Sequence, residues 1–167
     1  MLILHTDYIF MAVSAKLTNL LEKNKIKYEL LKHRTVYTAY DKAVTLRSSE
    51  KVVGKTLVVK LDKNPALVLI PANKNLDKQK LKKAAKTKSV DFIKEAWMKK
   101  RLKGVKVGAV PPFGNLWKLP TFVDRTLINQ SKIIINGGDY NWSIKINPAV
   151  FKKIIPDLVI GNFSKKK

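Results

Sequence analysis

Lys55 stands out among the many lysines of this sequence because it belongs to Gly54-Lys55-Thr56, at the start of a hydrophobic, β-branched run. Side chains alternate along a strand, so Lys55 shares a face with Leu57 and Val59, which we expect to point inward. A lysine at the open end of a buried face is partly removed from water, and it can direct its ammonium group into a pocket. The alternative is that Lys55 merely caps the edge of the strand.

A second candidate is the loop Gly108, Ala109, Val110, Pro111, Pro112, Phe113 and Gly114. Its two prolines fix the path of the chain, and its glycines let a ligand approach the backbone closely. Such a loop can offer N–H groups to a carbonyl oxygen, as an oxyanion site requires, while Phe113 can form a wall of the pocket. An ordinary rigid turn is the alternative interpretation.

The third candidate is Asn136-Gly137-Gly138, which follows three apolar isoleucines. Asn-Gly accepts positive φ at little cost, so a hairpin turn is the simpler interpretation. In the functional interpretation, Asn136 or the glycine backbone lines the same pocket as Lys55. Taken alone, the segment favours the turn.

Composition excludes several kinds of site. The 167 residues include 0 cysteines and 2 histidines, His5 and His33. A disulfide scaffold, a thiol nucleophile and a cysteine-based zinc site are therefore impossible, and the cytoplasm is the expected compartment. We expect no metal and no cofactor, because no histidine pair has ligand spacing and no phosphate-binding glycine loop is present. His33, beside Arg34, is more typical of a surface or packing histidine than of a catalyst.

The charge predicts a polyanionic partner. The sequence has 34 Lys+Arg against 12 Asp+Glu, a formal net charge of +22, and most of the basic residues are lysines. Lysine suits phosphate backbones more than base edges, so RNA, DNA and an anionic membrane surface all qualify on charge, whereas a merely solvated surface is the alternative. The apolar stretch at residues 2–13 is too short to span a membrane, and we find no amphipathic anchor, so no membrane association is expected.

The elements that must position these residues form a mixed pattern of helices and hairpins, which predicts one α+β domain. Residues 14–160 are its expected extent, preceded by an extension at 1–13 (an edge strand or disordered) and followed by a loose basic tail at 161–167. Expected helices cover residues 14–24, 38–46, 78–86, 95–102 and 147–155. Expected strands cover residues 26–31, 56–61, 66–70, 90–93, 105–110, 121–123, 133–135 and 143–146.

Taken in order, these segments resemble the YbaK family of aminoacyl-tRNA deacylases and the related editing domain found in, or associated with, prolyl-tRNA synthetases. The resemblance spans residues 14–160 and includes the segments KLTNLLEKNKI (16–26), GKTLVVK (54–60), VGAVPPFG (107–114), LPTFVD (119–124) and IIINGG (133–138). It implies an α+β fold with a mixed, barrel-like β-sheet and surrounding helices. It also implies hydrolysis of the ester that joins a wrong amino acid to tRNA.

The resemblance places the family's essential lysine on Lys55, the expected catalytic residue. The expected substrate-binding residues are His33, Thr56, Gly108, Ala109, Val110, Pro111, Pro112, Phe113, Gly114, Asn136, Gly137 and Gly138. The residues expected to hold tRNA phosphates are Lys78, Lys82, Lys83, Lys86, Lys99, Lys100 and Arg101.

Four positions differ from the best-known YbaK-type enzymes. Ala109 and Pro111 replace a glycine and a serine. Asn136 stands where those enzymes carry serine, and Ser143 stands where they carry aspartate. Because each of these residues is expected on the pocket wall, the differences bear on which amino acid is removed.

An aminoacyl ester is already activated, so this chemistry needs no protein nucleophile. A lysine ammonium and backbone N–H groups can stabilise the developing oxyanion, with one good donor worth about 3 kcal/mol. Water, or a hydroxyl of the terminal ribose, then makes the attack. The expected function is trans-editing of the charged 3′ end of tRNA, with an aminoacyl-tRNA synthetase as a candidate partner. The alternative is a non-catalytic tRNA- or RNA-binding module with the same fold.

Overall fold

The computed structural model describes residues 14–167, so the extension expected at residues 1–13 lies outside the described residues. The helices are α1 (Ala15–Lys23), α2 (Ala39–Thr45), α3 (Lys78–Ala85), α4 (Glu95–Arg101), α5 (Arg125–Ile128) and α6 (Val150–Ile154). The strands are β1 (Tyr28–Lys32), β2 (Gly54–Leu61), β3 (Asn64–Pro71), β4 (Lys74–Leu76), β5 (Val90–Phe92), β6 (Thr121–Asp124), β7 (Ile133–Asp139), β8 (Trp142–Ile146), β9 (Val159–Gly161) and β10 (Ser164–Lys166). This mixture confirms the α+β prediction.

Within residues 14–167 the strands form three sheets. The largest has the order β5-β2-β3-β6-β9, in which β3-β6 and β6-β9 are parallel and the other pairs are antiparallel. An antiparallel sheet has the order β1-β8-β7, and a small one pairs β10 with β4. The mixed character agrees with the implied fold, although within residues 14–167 the strands do not close into a single barrel.

The two larger sheets meet where β2 begins. Val53 forms an isolated parallel bridge with Ile134 of β7, and the Ile134 N–H donates to the carbonyl of Val52 at 2.9 Å. This seam between the sheets brings the first residues of β2 close to the middle of β7. It therefore positions two of the segments that the sequence singled out, Lys55-Thr56 and Asn136.

The core lies on both sides of β3, the central strand of the large sheet. Leu67, Val68, Leu69 and Ile70 are all fully buried, which explains their uninterrupted apolar sequence. On one side, Leu69 joins the cluster formed by α1, β7, β8 and α6. On the other side, Val68 and Ile70 pack with residues of α3 and the C-terminal segment.

Local signals place several boundaries as predicted. The Thr38 side chain accepts a hydrogen bond from the Asp41 N–H at 3.0 Å, and this cap begins α2. The Asp77 carboxylate accepts from the Lys80 N–H at 3.1 Å and begins α3 in the same way. The hairpin of β2 and β3 is also confirmed.

Two local predictions in glycine-containing segments are wrong. Residues 105–110 form turns and not a strand, because Gly104 and Gly108 have φ of 89° and 84°. Gly137 and Gly138 lie inside β7 and not in a hairpin turn, and the turn is formed by residues 140–141. Gly138, with φ of 94°, takes part in an irregular register between β7 and β8.

The C-terminal segment is ordered, so the expectation of a loose tail is wrong. β10 pairs with β4, and Phe163 is only 1% exposed beside Phe122. The Asp124 carboxylate accepts from the Phe163 N–H at 2.9 Å and from the Ser164 hydroxyl at 2.8 Å. These partners lie some forty positions apart in the sequence, so no local pattern indicates the pairing.

Candidate active site

A cavity of about 250 Å³ lies at the seam between the two larger sheets. Lys55 and Thr56 enter its wall from β2, Asn136 and Asp139 from β7, and Lys42 from α2. The rest of the wall consists of Val36, Tyr37, Thr38, Ala39, Gly108 and Ala109. The structure thus brings together members of all three segments that the sequence singled out.

Lys55 has the properties of a residue that awaits a ligand. Its side chain is half-buried, and within residues 14–167 its ammonium group makes no hydrogen bond or salt bridge. Burial lowers the pKa of Lys55, and the positive charge of Lys167 lowers it further, against the opposing effect of Glu50. An ammonium group that is partly dehydrated and unpaired is well suited to bind a carbonyl oxygen or an oxyanion.

Lys42 is the residue that the sequence analysis missed. It is 6% exposed, and its ammonium group donates a hydrogen bond to the Asn136 side-chain oxygen. Burial lowers the pKa of Lys42 to about 8. The Asn136 amide nitrogen donates in turn to the Val110 carbonyl at 3.1 Å, so β7 holds this amide between a buried cation and the loop.

A sequence signal for Lys42 does exist. Ala39, Ala43 and Leu46 pack together in one apolar cluster, and they follow the spacing of a single helix face. Lys42 occupies the i+3 position of that same face. A lysine on an apolar face is unusual enough to indicate a functional role.

Thr56 offers a second free polar group. Its hydroxyl oxygen is buried and has no hydrogen-bond partner in the part of the chain that the structure describes. Buried polar groups are normally paired, so a substrate that supplied a donor or acceptor here would be bound more tightly.

Asp139 and Tyr37 form the outer part of the wall. The Asp139 carboxylate lies 3.0 Å from the Lys106 ammonium group and accepts from the Tyr140 N–H, so its charge is already compensated. Tyr37 is 69% exposed and meets the ring of Tyr140 edge-on, with the ring centroids 4.9 Å apart.

The loop at residues 108–114 contributes less than the sequence suggested. Gly108 and Ala109 reach the cavity, whereas Val110, Pro111, Pro112, Phe113 and Gly114 are buried beneath it. Phe113 does not form a wall, because its ring packs in the core at 5.4 Å from that of Phe151. The N–H groups of Ala109 and Gly114 donate within the protein, to the Lys106 carbonyl and the Thr121 hydroxyl.

Gly137 and Gly138 also lie outside the cavity wall. The Gly137 carbonyl accepts from the Ser14 N–H at 3.1 Å, and the Gly138 carbonyl accepts from the Lys106 N–H at 2.9 Å. A Cβ on Gly138 would lie 2.8 Å from that of Ser14. These glycines let β7 pack closely against the start of α1 and against the segment that contains Lys106. This packing fixes the position of Asn136, the residue that precedes them in β7.

His33 lies behind the cavity and does not line it. Its Nε2 is 2.9 Å from the Ser143 hydroxyl, and its Nδ1 is 2.8 Å from the Arg34 carbonyl. Burial lowers the pKa of His33, with the nearby charge of Lys42 acting in the same direction and the bond to Arg34 opposing it. Ser143 is the cross-strand partner of Asn136, so His33 supports the sheet beneath the site.

The basic residues expected to hold tRNA lie on two helices away from the cavity. Lys78, Lys82 and Lys83 belong to α3, with Lys86 just beyond it, and Lys99, Lys100 and Arg101 belong to α4. All except the half-buried Lys82 are exposed. Their contact with RNA remains a prediction.

Two further observations concern the described residues. No group of three acidic or histidine side chains in residues 14–167 could hold a metal ion. None of the helices in that range is both long enough and apolar enough to cross a membrane.

Comparison with known proteins identifies the family. The fold is similar to a crystal structure of the hypothetical protein APE2540, with a TM-score of 0.80 and 24% identity, covering 90% of this chain and 99% of that one. It is also similar to a structure described as a proposed trans-editing enzyme for prolyl tRNA synthetase, with a TM-score of 0.76 and 19% identity. That similarity covers 91% of this chain and 96% of the other. The family model of the aminoacyl-tRNA editing domain matches residues 33–154. Because that match spans more than half of the sequence, the chain belongs to the aminoacyl-tRNA editing domain family.

Proposed function

We propose that this protein hydrolyses the ester bond of mischarged aminoacyl-tRNA, acting in trans on the charged 3′ end. The observation that carries the proposal is the unpaired ammonium group of the half-buried Lys55 on the wall of a polar cavity. Membership of the editing-domain family supports the reaction class. The cytoplasm is the proposed compartment, and an aminoacyl-tRNA synthetase is a candidate partner.

In the proposed reaction, Lys55 binds the ester carbonyl oxygen and stabilises the negative charge that develops there. A water molecule, which the neighbouring hydroxyl of the terminal ribose can orient, attacks the carbonyl carbon and gives up a proton. The bond between that carbon and the ribose oxygen breaks, and the ribose oxygen takes up a proton. The interaction is strongest in the transition state, because the negative charge on the carbonyl oxygen is greatest there.

The amino acid is proposed to enter the cavity beyond Lys55. Its side chain then meets Thr56, Asn136 and the buried Lys42. A cavity of about 250 Å³ has room for an amino-acid side chain. A second site that selects side chains by their contacts would supplement synthetases, which distinguish small apolar side chains by only about 1–3 kcal/mol per methylene.

Deacylation of a panel of charged tRNAs tests the proposal. Wild type, Lys55→Ala and the control Lys153→Ala, an exposed lysine on α6, are incubated with tRNAs carrying Ala, Ser, Cys or Pro. We expect at least one of these tRNAs to lose its amino acid about 100-fold faster with wild type than with Lys55→Ala, and Lys153→Ala to match wild type.

The enzymatic proposal is lost if wild type deacylates none of these tRNAs faster than Lys55→Ala does. Salt-sensitive binding of tRNA that is undiminished in Lys55→Ala, with no preference for the charged end, would then indicate the non-catalytic RNA-binding module.

A further inference from the structure

Lys55 lines a second cavity as well as the candidate active site. This cavity, of about 500 Å³, extends along the large sheet and also includes Leu57, Asp77, Lys78 and Phe92. Since Lys55 belongs to both cavities, a ligand in the second one can present its end to the first. The two spaces are therefore suited to hold two parts of one substrate.

Two more cavities share lining residues with the second one or with each other. Phe92 also lines a cavity of about 290 Å³ with Lys60, Lys94 and Trp97. Trp97 in turn lines a cavity of about 410 Å³ with Arg101 and other residues. We call this series the cationic groove and define it by Lys55, Lys78, Phe92, Lys94, Trp97 and Arg101.

Aromatic rings and basic side chains alternate along the cationic groove. Phe92 is 56% exposed, and the Lys78 ammonium group lies 5.0 Å from the centre of its ring. Among residues 14–167, Asp77 is the single acidic residue that lines these three cavities, and its carboxylate is engaged in capping α3. Exposed rings flanked by cations are typical of surfaces on which single-stranded nucleic acid stacks its bases.

The strand register gives the length of the first part of the groove. Phe92 pairs with Val59, and Lys55 lies four residues before Val59 on the same face of β2. With a rise of about 3.3 Å per residue, the ring lies about 13 Å along the strand from Lys55. A stacked strand advances about 3.4 Å per nucleotide, so this stretch accommodates about four nucleotides.

We infer that the cationic groove binds the single-stranded 3′ end of RNA, with Phe92 as a stacking platform that guides the terminal nucleotide to Lys55. The inference rests on the proposed function for its choice of RNA, namely the charged end of tRNA. Lys94 and Arg101 lie further along, where they contact phosphates of the same strand.

The test uses uncharged RNA, so that binding is measured apart from hydrolysis. One hairpin carries a four-nucleotide single-stranded 3′ end, and the matched hairpin is blunt. We expect wild type to bind the first more tightly, and Phe92→Ala to weaken that binding about ten-fold without affecting the blunt hairpin. Phe92→Trp should retain the affinity, because it keeps a stacking surface.

Tyr40→Ala is the matched control, since Tyr40 is 54% exposed and lines none of these cavities. The inference is overturned if Phe92→Ala binds the single-stranded end within two-fold of wild type, or if Tyr40→Ala weakens binding equally. If Phe92-dependent binding is found but no charged tRNA is hydrolysed, the groove stands and the deacylase proposal fails. If Lys55-dependent hydrolysis is found but Phe92→Ala changes no affinity, the groove alone fails.

Discussion

Replacing Lys42 by methionine tests whether the wall of the cavity contains a buried positive charge. Lys42 is 6% exposed, and burial lowers its pKa from 10.5 to about 8. Methionine keeps an unbranched, flexible stem of similar length and carries no charge. The Lys42→Met variant therefore removes the titration of this group while changing the packing little.

The sign of the effect follows from the lowered pKa. The folded protein binds the Lys42 proton more weakly than the unfolded chain does, and this difference costs about 3 kcal/mol of stability at pH 7. The cost is fully present below pH 8 and is relieved as the pH rises from 8 towards 10.5. Between pH 7 and pH 9, we expect the unfolding free energy of wild type to rise by about 1.3 kcal/mol relative to Lys42→Met.

Urea unfolding of both proteins at the two pH values provides the measurement. The change in unfolding free energy between pH 7 and pH 9 is measured for each protein, and the two changes are subtracted. This subtraction cancels the titration of the other lysines. It also cancels the cost of leaving the Asn136 oxygen without its donor, about 1–3 kcal/mol. Lys153→Met, at an exposed position, should keep the same stability difference from wild type at both pH values. The reasoning is refuted if the difference between wild type and Lys42→Met is also the same at pH 7 and pH 9.

Two further variants test the packing around the site. Asp124→Asn should lower the unfolding free energy by about 2 kcal/mol at pH 7, measured in urea, because it weakens hydrogen bonds to the Phe163 N–H and the Ser164 hydroxyl. Burial alone would raise the pKa of Asp124, but these hydrogen bonds and those from Thr126 lower it below 3.8. The higher unfolding free energy of wild type should therefore persist above pH 4 and disappear on further acidification. If wild type and Asp124→Asn differed in unfolding free energy at pH 2 as much as at pH 7, this account would be contradicted. Gly138→Ala should cost about 1–3 kcal/mol, because φ is 94° and a Cβ would meet Ser14, and an unaltered urea midpoint would show that β7 relaxes without strain.

The parts of the fold that the sequence predicts well depend on local chemistry. The caps at Thr38 and Asp77 arise from side chains three residues before their partners. The hairpin of β2 and β3 follows from two β-branched, apolar runs separated by a turn. Lys55 could be singled out because it lies where such a run begins, next to a glycine.

The parts that escape prediction depend on distant partners. The pairing of β10 with β4 joins residues about ninety positions apart, and nothing in the short segment at 164–166 indicates it. Phe113 belongs to the core because Phe151 lies opposite, which the loop sequence does not reveal. Lys42 differs from these cases, because its position on the apolar face of α2 is a local signal, which the usual exposure of lysine obscures.

The seam between the sheets has a consequence for how the width of the cavity beside Lys55 can vary. Two of its walls belong to different sheets, and among residues 14–167 a single bridge, between Val53 just before β2 and Ile134 of β7, connects these sheets. A slight rotation of one sheet against the other about this bridge would change the separation of Thr56 and Asn136 while every ladder within each sheet stayed intact. Substitutions at this bridge would thus change the width of the cavity without changing Lys55, which under the proposed function would alter the size of the acyl group that fits.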